Sequence, residues 1–159
     1  MAANTYHSLC RWVPTCRAAI PPNAVNGGTD STGETLYIGR TRHEDDLIPG
    51  KVVPSHECCY VSWGGLEKRY DEYEILVAEH DHEFTWASCQ GGELPTGAIQ
   101  GGVTGDEEKL FIGRAEHDGS LTIGKVHPSH KVCYIPYDGK EIPCEYYEVL
   151  ACKSINLAS

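Results

Sequence analysis

The feature that most constrains the fold of this chain is an internal repeat. Residues 12–78 align without a gap with residues 86–152, at a constant offset of 74 positions. The identical pairs are spread over the whole alignment and include Trp12/Trp86, Gly27-Gly28/Gly101-Gly102, Arg40/Arg114, His43/His117, Lys51/Lys125, Pro54-Ser55-His56/Pro128-Ser129-His130, Glu67/Glu141 and Tyr73-Glu74/Tyr147-Glu148. A match of this length indicates a duplication, and it predicts two halves related by a pseudo-twofold axis.

The linker between the two copies, residues 79–85, is short and charged. It cannot hold two independent domains far apart, and a repeat of this size buries too little apolar surface to be stable alone. We therefore expect one domain over residues 1–159, in which the repeats 12–78 and 86–152 share a single core.

Each copy has the pattern of short strands separated by turns. Thr35 to Thr41 alternates apolar and other residues with the period of a half-buried strand, and Tyr73 to Val77 is a second β-prone run. Gly64-Gly65 and Asp118-Gly119 are typical of tight turns. No window keeps a helical period, and the 17 glycines and 9 prolines favour many turns. The sequence predicts an all-β fold.

Charge and hydropathy argue against nucleic-acid binding and against a membrane-spanning segment. The net charge of −10 and the lack of a Lys/Arg cluster argue against nucleic acid. No run approaches the roughly 20 apolar residues of a membrane span. Residues 1–9 have neither a basic nor an apolar segment of a signal peptide, which predicts a cytoplasmic protein, with release to extracellular fluid by a route that needs no signal. The eight cysteines are then expected as reduced, partly buried thiols.

The polar positions that are duplicated in both copies include Arg40/Arg114, Lys51/Lys125, His56/His130 and Glu67/Glu141. The glutamates follow glycine turns and are expected to accept backbone or arginine hydrogen bonds. The arginines follow an apolar strand, where the guanidinium could pair with such a carboxylate. Each lysine follows a glycine at the expected start of a strand. Its ammonium could face a shallow groove, or it could be an ordinary solvated strand lysine.

Motifs for metals and for catalysis are not found in the sequence. There is no His-Glu-x-x-His or paired Cys-x-x-Cys, and neighbouring Cys58 and Cys59 would point to opposite faces of a strand. His80-Asp81-His82 in the linker is the remaining histidine cluster. There is also no Gly-x-Ser-x-Gly elbow and no phosphate-binding glycine loop. We expect no metal and no cofactor, while a glycosidase pair of carboxylates is not excluded.

The residues Trp12, Pro22, Ala24-Val25, Gly27-Gly28, Asp30, Leu36 to Arg40, Pro49-Gly50-Lys51 and Tyr73 to Leu76, with their copies in 86–152, form a pattern over nearly the whole chain. This pattern resembles the DM-nine repeat family, which includes natterin-like proteins and two-repeat invertebrate lectins that bind mannose on microbial surfaces. The resemblance implies an all-β fold with strands exchanged between repeats, and often a homodimer. Natterin-like toxins carry a further membrane-inserting domain, for which this length leaves no room, so no membrane insertion is expected.

In those lectins an aspartate after the glycine-rich turn and the lysine of Pro-Gly-Lys hold the sugar, and these fall on Asp30 and Lys51. A carboxylate accepts from sugar hydroxyls and an ammonium donates to sugar oxygens, so the pair needs no metal. Asp46 and His43, in the loop before Lys51, could line the rim. An aromatic platform could come from Tyr37, Tyr60 or Trp63.

The second copy departs from this pattern. Thr104 replaces the aspartate, Ile123 replaces Pro49 and Ser120 replaces Asp46, although Lys125 is kept. Losing the carboxylate should weaken or redirect the second site, unless Asp106 or a partner chain supplies another. We expect one strong and one weak or altered site per chain.

The resemblance and the residues together predict a mannose-binding, metal-independent lectin that is not an enzyme. Its partners would be mannose or mannan-type glycans on microbial surfaces. Two rivals stay open: an intracellular interaction or stress protein that uses the same fold without sugar, and a sugar-active enzyme.

Overall fold

Fourteen β-strands form nearly all of the regular structure of the computed structural model, which describes residues 10–79 and 83–153. The first repeat contributes β1 (Arg11–Cys16), β2 (Asn26–Thr29), β3 (Thr35–His43), β4 (Asp46–Val53), β5 (Cys58–Trp63), β6 (Leu66–Tyr70) and β7 (Glu72–Val77). The second contributes β8 (Phe84–Gln90), β9 (Gln100–Val103), β10 (Lys109–His117), β11 (Ser120–His127), β12 (Val132–Tyr137), β13 (Lys140–Cys144) and β14 (Tyr146–Cys152). The two sets correspond strand by strand, so the all-β prediction is confirmed.

Local sequence explains the boundaries of the strands. β3 and β4 form a hairpin that turns at Glu44, which has a positive φ of 54°, and Asp118 takes the same role between β10 and β11. Short 3-10 turns at Pro54–His56 and Pro128–His130 interrupt the path to β5 and β12, since proline suits the first turn of a helix. In the described residues no helix is long and apolar enough to cross a bilayer.

The strand order shows that the repeats exchange strands. The sheet runs β1-β7-β3-β2-β11-β12-β13-β6-β5-β4-β9-β10-β14-β8, so the three-stranded β11-β12-β13 of the second repeat continues the four-stranded unit of the first. The reciprocal junction joins β4 to β9, and β6 pairs with β13 between the two three-stranded units. The predicted exchange is therefore present, and it places loops of opposite repeats side by side.

The core contains side chains from both repeats. One buried cluster combines residues of the first repeat, such as Leu36, Ile38 and Leu76, with Ile112 and Leu150 of the second. Two further clusters each lie within one repeat and surround the equivalent buried thiols of Cys59 and Cys133. All eight cysteines carry free thiols in the structure. Because the central cluster needs both halves, neither repeat has a complete core by itself.

Glycine is required where β2 meets β11. Gly28 lies so close to the other repeat that a Cβ there would collide with the carbonyl oxygen of Leu121, and Gly102 has the same relation to Leu47. The duplicated Gly-Gly of the sequence thus allows the backbones of exchanged strands to approach.

Gly28→Ala is expected to destabilise the protein by about 1–3 kcal/mol, since the added methyl must displace backbone at the exchange junction. Thermal unfolding measures the change. Thr29→Ala, on the neighbouring exposed position of the same strand, is the control and should cost less than about 1 kcal/mol. Equal stability of the two variants would contradict a tight junction between β2 and β11.

Candidate functional site

The candidate site is a pocket at the junction of the two repeats, which we call the Lys51 pocket. Its volume is about 580 Å³, within the roughly 300–1,000 Å³ of small-molecule sites. The first repeat supplies Asp30, Lys51, His56, Tyr60 and Glu67, and the second supplies Asp118, Ser120, Thr122, Tyr137 and Asp138. The pocket is therefore a product of strand exchange.

Lys51 lies at the centre of this pocket and is only 8% exposed. Its Nζ lies 3.5 Å from Glu67 Oε2 and between two aromatic rings, 5.5 Å from the centroid of Tyr60 and 5.1 Å from that of Tyr137. Burial lowers the pKa of Lys51, and the carboxylates of Glu67 and Asp30 partly oppose this effect. Of the two alternatives for Lys51, the solvated lysine is wrong, and so is the expected strand start, because Lys51 is buried and lies well inside β4.

Glu67 links Lys51 to the other repeat. Its Oε1 accepts a hydrogen bond of 3.1 Å from the backbone N–H of Gly139, while its Oε2 faces the ammonium. Glu141 makes the equivalent contacts from the second repeat: it pairs with Lys125 and accepts a hydrogen bond from the N–H of Gly65 in the first repeat. The expected backbone hydrogen bonds of these glutamates are present, and each one fixes a turn of the opposite repeat.

Asp30 closes the loop between β2 and β3. Its Oδ1 accepts from the N–H and hydroxyl of Thr32 and from the N–H of Glu34, at 2.7–2.9 Å. Burial opposes the charged form, but these hydrogen bonds outweigh it and lower the pKa of Asp30. One oxygen is thus committed to the loop, and the residue as a whole lines the Lys51 pocket. Thr104 Oγ1 closes the equivalent loop by accepting from the N–H of Glu108 at 3.1 Å.

The proposed rim residues Asp46 and His43 lie elsewhere. Asp46 Oδ1 accepts from the N–H of Gly105 in the second repeat, and His43 contacts the ring of Trp63 at a centroid distance of 5.0 Å. Neither residue lines the Lys51 pocket. The reason is strand exchange, which carries the hairpin of each repeat over the loops of the other. The rim position expected for Asp46 is taken by Ser120.

In the second copy of the site, the lysine uses more of its hydrogen-bond donors within the protein. Lys125 is 4% exposed, and its Nζ donates to the carbonyl oxygen of Ser62 at 2.7 Å and pairs with Glu141 at 3.0 Å. Among the described residues, Lys51 makes no matching bond to a backbone carbonyl and has the longer ion pair. Since an ammonium has three donors, Lys51 keeps more hydrogen-bonding capacity for a ligand than Lys125.

The duplicated arginines pair with other partners than expected. Arg40 donates to Glu74 at 2.9 Å and stacks on Trp12, and Arg114 donates to Glu148 at 3.0 Å and stacks on Trp86. The suggested pairing with a carboxylate such as Glu67 is wrong, because β3 lies next to β7 and places Arg40 directly opposite Glu74. The arginines are structural residues outside the Lys51 pocket.

Sequence reasoning missed the part of the pocket that comes from the second repeat. Tyr60 was one of three aromatic candidates and does line the pocket, whereas Tyr37 and Trp63 do not. The facing ring belongs to Tyr137, the repeat equivalent of Trp63. Tyr137 could have been predicted, because the resemblance implied exchanged strands. Strand exchange brings a hairpin of the second repeat to the site of the first.

The donor set does not form a metal centre. Over residues 10–79 and 83–153, no group of three or more His, Cys, Asp or Glu side chains is arranged to hold an ion. The linker cluster His80-Asp81-His82 lies outside the described residues. The pocket instead combines one ammonium, hydroxyls and carboxylates between two tyrosine rings, which suits a ligand with many hydroxyl groups.

Fold and pocket thus define a two-repeat, strand-exchanged β protein with a composite pocket. The sequence profile of the DM9 repeat matches this chain over residues 2–70 and 35–144. The chain belongs to the DM9 repeat family.

Similar proteins were found both by sequence and by structure. The chain is 30% identical to Natterin-4 of Thalassophryne nattereri over 82% of its own length, and 29% identical to Natterin-3 of the same organism over 84%. It spans only about a third of the length of these relatives, 31% and 34% respectively. Among solved structures, the nematode sperm cell motility protein MFP2B has the same fold, with a TM-score of 0.69 over 96% of this chain and 49% of that one, at 14% identity.

Glu67→Ala is expected to destabilise the protein by about 3–5 kcal/mol, because it leaves the buried ammonium of Lys51 without its partner. Chemical denaturation measures the loss. Glu72→Ala, at an exposed position of β7, is the control and should change stability by no more than about 0.5 kcal/mol. The double change Lys51→Met/Glu67→Leu should recover part of the loss, since it removes both charges. A fully stable Glu67→Ala variant would show that the pair is not needed.

Proposed function

We propose that this protein is a carbohydrate-binding lectin that holds mannose or a mannose-containing glycan in the Lys51 pocket. The observation that carries the proposal is the buried ammonium of Lys51, which lies within 5.5 Å of the centroids of two tyrosine rings in a pocket that Asp30 also lines. A pyranose offers hydroxyls to such donors and acceptors and an apolar C–H face to an aromatic ring. The pocket supplies both kinds of contact.

Hydrogen bonding in the pocket matches vicinal hydroxyls. In the proposed complex the ammonium of Lys51 donates and the carboxylate of Asp30 accepts, so one diol would use both groups in charge-assisted bonds. Neither contact requires a metal or a cofactor. Four carboxylates against one lysine also make the pocket acidic, so a neutral sugar is favoured over a uronate or a sialylated glycan.

High affinity would come from the binding of several sites to one polyvalent glycan. One shallow site is expected to bind a monosaccharide at roughly millimolar Kd, about −4 kcal/mol. Presentation of several sites in a homodimer, on a polyvalent mannan of a microbial surface, would raise the effective affinity without any new contact. The proposal therefore includes a homodimer and a role in recognition of microbial glycans.

Lys51→Met and Asp30→Thr are expected to reduce mannose binding at least tenfold, which corresponds to about 1.4 kcal/mol. Asp30→Thr copies Thr104, so a hydroxyl can still close the loop while the carboxylate is lost. NMR titration or calorimetry with mannose, on variants shown to be folded by circular dichroism, measures the effect.

Lys125→Met is the matched control, since it removes an equally buried lysine from the second copy. The Lys125→Met variant should bind mannose with the same affinity as the original protein, with one sugar bound per chain. Unchanged binding by Lys51→Met and Asp30→Thr would remove the proposed site, and two equal sites per chain would contradict the difference between the copies.

Binding is also expected to depend on pH through Lys51. The ammonium is present below the pKa of Lys51 and is lost as the pH rises through it, and burial lowers that pKa from 10.5. Affinity for mannose should therefore fall at a lower pH than it would if Lys51 had the pKa of an ordinary lysine. Tyr60 stays neutral in that range, because burial raises its pKa to about 12. A flat titration from about pH 7 to about pH 10 would contradict a role for the charged lysine.

The fold alone does not decide the function, since the same fold occurs in a sperm motility protein. An interaction or stress protein that binds no sugar is therefore the second candidate. A glycan array separates the two, because only the lectin gives mannose-dependent signals that Lys51→Met removes. Turnover of a chromogenic mannoside would favour an enzyme instead.

A further inference from the structure

The second repeat contains a pair of neighbouring thiols that the first repeat does not have. Cys133 of β12 and Cys144 of β13 are direct partners in the antiparallel register of these two strands. The side chains of such partners lie on the same face of a sheet. In agreement with this, Cys133 is a fully buried member of the core cluster of the second repeat, and Cys144 packs against the same cluster. The two thiols therefore face the same part of the interior.

The register also gives this pair the separation that a disulfide requires. The Cα atoms of antiparallel partners are about 4.5–5.5 Å apart, and those of disulfide-bonded cysteines are about 4.4–6.8 Å apart. Both thiols are free in the structure. Cys133 and Cys144 can thus be joined without a large movement of either strand.

Comparison of the repeats shows that the fold does not need this pair. Cys59 is equivalent to Cys133, but its partner across β5 and β6 is Tyr70, which stands at the position of Cys144. Cys89 also packs against the core cluster of the second repeat, but it lies opposite a tyrosine of β14. In the strands that the structure describes, no other register pair joins two cysteines.

We propose that Cys133 and Cys144 are a modification site at which a peroxide oxidant forms a cross-strand disulfide. Cys144 is partly exposed and reacts first. Its thiolate attacks one oxygen of hydrogen peroxide, the O–O bond breaks, and a sulfenic acid and hydroxide form. The thiolate of Cys133 then attacks the sulfenic sulfur, so that the S–S bond forms, the S–O bond breaks and a second hydroxide leaves. The protons of the two thiols convert both hydroxides to water, and the two electrons lost by the thiols reduce the peroxide.

Burial determines how fast this modification is. It raises the pKa of Cys144, and it raises the pKa of Cys133 well above the ordinary value of a thiol. Because the thiolate is the reactive form, the attack on peroxide is slow at neutral pH. The second step is intramolecular, since the register holds the two sulfurs on one face. The pair therefore suits a lasting change in an oxidising environment better than rapid sensing.

The cross-link would constrain one wall of the Lys51 pocket. β12 and β13 form a hairpin whose turn contributes Tyr137, Asp138 and Gly139 to that pocket. Cys133 and Cys144 are the register pair farthest from this turn, so a bond between them would close the hairpin at its open end. Formation of the disulfide does not depend on sugar binding, so its test is independent of the proposed function.

The experiment treats the full chain with hydrogen peroxide at about pH 8.5, near the ordinary pKa of a thiol. Remaining thiols are blocked with iodoacetamide under denaturing conditions, and unreduced tryptic peptides are identified by mass spectrometry. Peptides 132–140 and 141–153, which contain Cys133 and Cys144, should be joined. Cys144→Ser should abolish the joined species, which assigns the bond to Cys144 and not to Cys152 in the same peptide. The oxidised protein should have a Tm at least about 3 °C higher than the reduced protein.

Cys16→Ser is the control, because it removes an exposed thiol outside the pair. It should leave the joined peptides and the gain in Tm unchanged. Recovery of both Cys133 and Cys144 as blocked thiols, at a peroxide concentration that fully oxidises Cys16, would overturn the proposal. A bond from either residue to Cys89, or joined peptides that persist in Cys144→Ser, would also overturn it. A fall in Tm on oxidation would contradict a register that accepts the bond without strain.

Discussion

The interaction on which the rest of the structure depends is the buried lysine–glutamate pair and its repeat copy. Glu67 neutralises Lys51 of its own repeat with one oxygen and holds the Gly139 turn of the other repeat with the second. Taking two charges out of water is costly, and the cost is offset only when both are paired and their remaining hydrogen-bonding groups are satisfied. Docking of the repeats supplies the N–H of Gly139 to the second oxygen of Glu67, and both residues line the pocket that forms there.

This arrangement makes the pocket composite. The glutamate fixes the turn that carries Asp138, and strand β12 brings Tyr137 over the ammonium. The character of the Lys51 pocket therefore depends on substitutions in the opposite repeat as much as on Asp30. A duplicated scaffold can acquire two different sites in this way, because each lysine faces side chains from the copy that does not contain it.

The fold was largely predictable from the sequence, whereas the surroundings of the lysine were not. The offset of 74 residues predicted two equivalent strand sets, and the short linker predicted a shared core. Asp46 was suggested for the rim from its place in the loop before Lys51, but it contacts Gly105 instead, because the sequence does not tell which hairpin covers which loop. The partner of Arg40 was missed for a similar reason, since only the register of β3 against β7 places it opposite Glu74.

The difference between the two lysines follows from hydrogen-bond capacity. A sugar oxygen that approached Lys125 would compete with the carbonyl of Ser62, which already accepts from the ammonium at 2.7 Å. Leaving that buried carbonyl unsatisfied costs about 1–3 kcal/mol. A single sugar gains only about 4 kcal/mol at millimolar affinity, so this cost removes a large part of the binding free energy. Lys51 has no such competitor among the described residues. Both copies thus keep the lysine in an ion pair whose glutamate also holds a turn of the other repeat, and Lys51 retains more hydrogen-bonding capacity than Lys125.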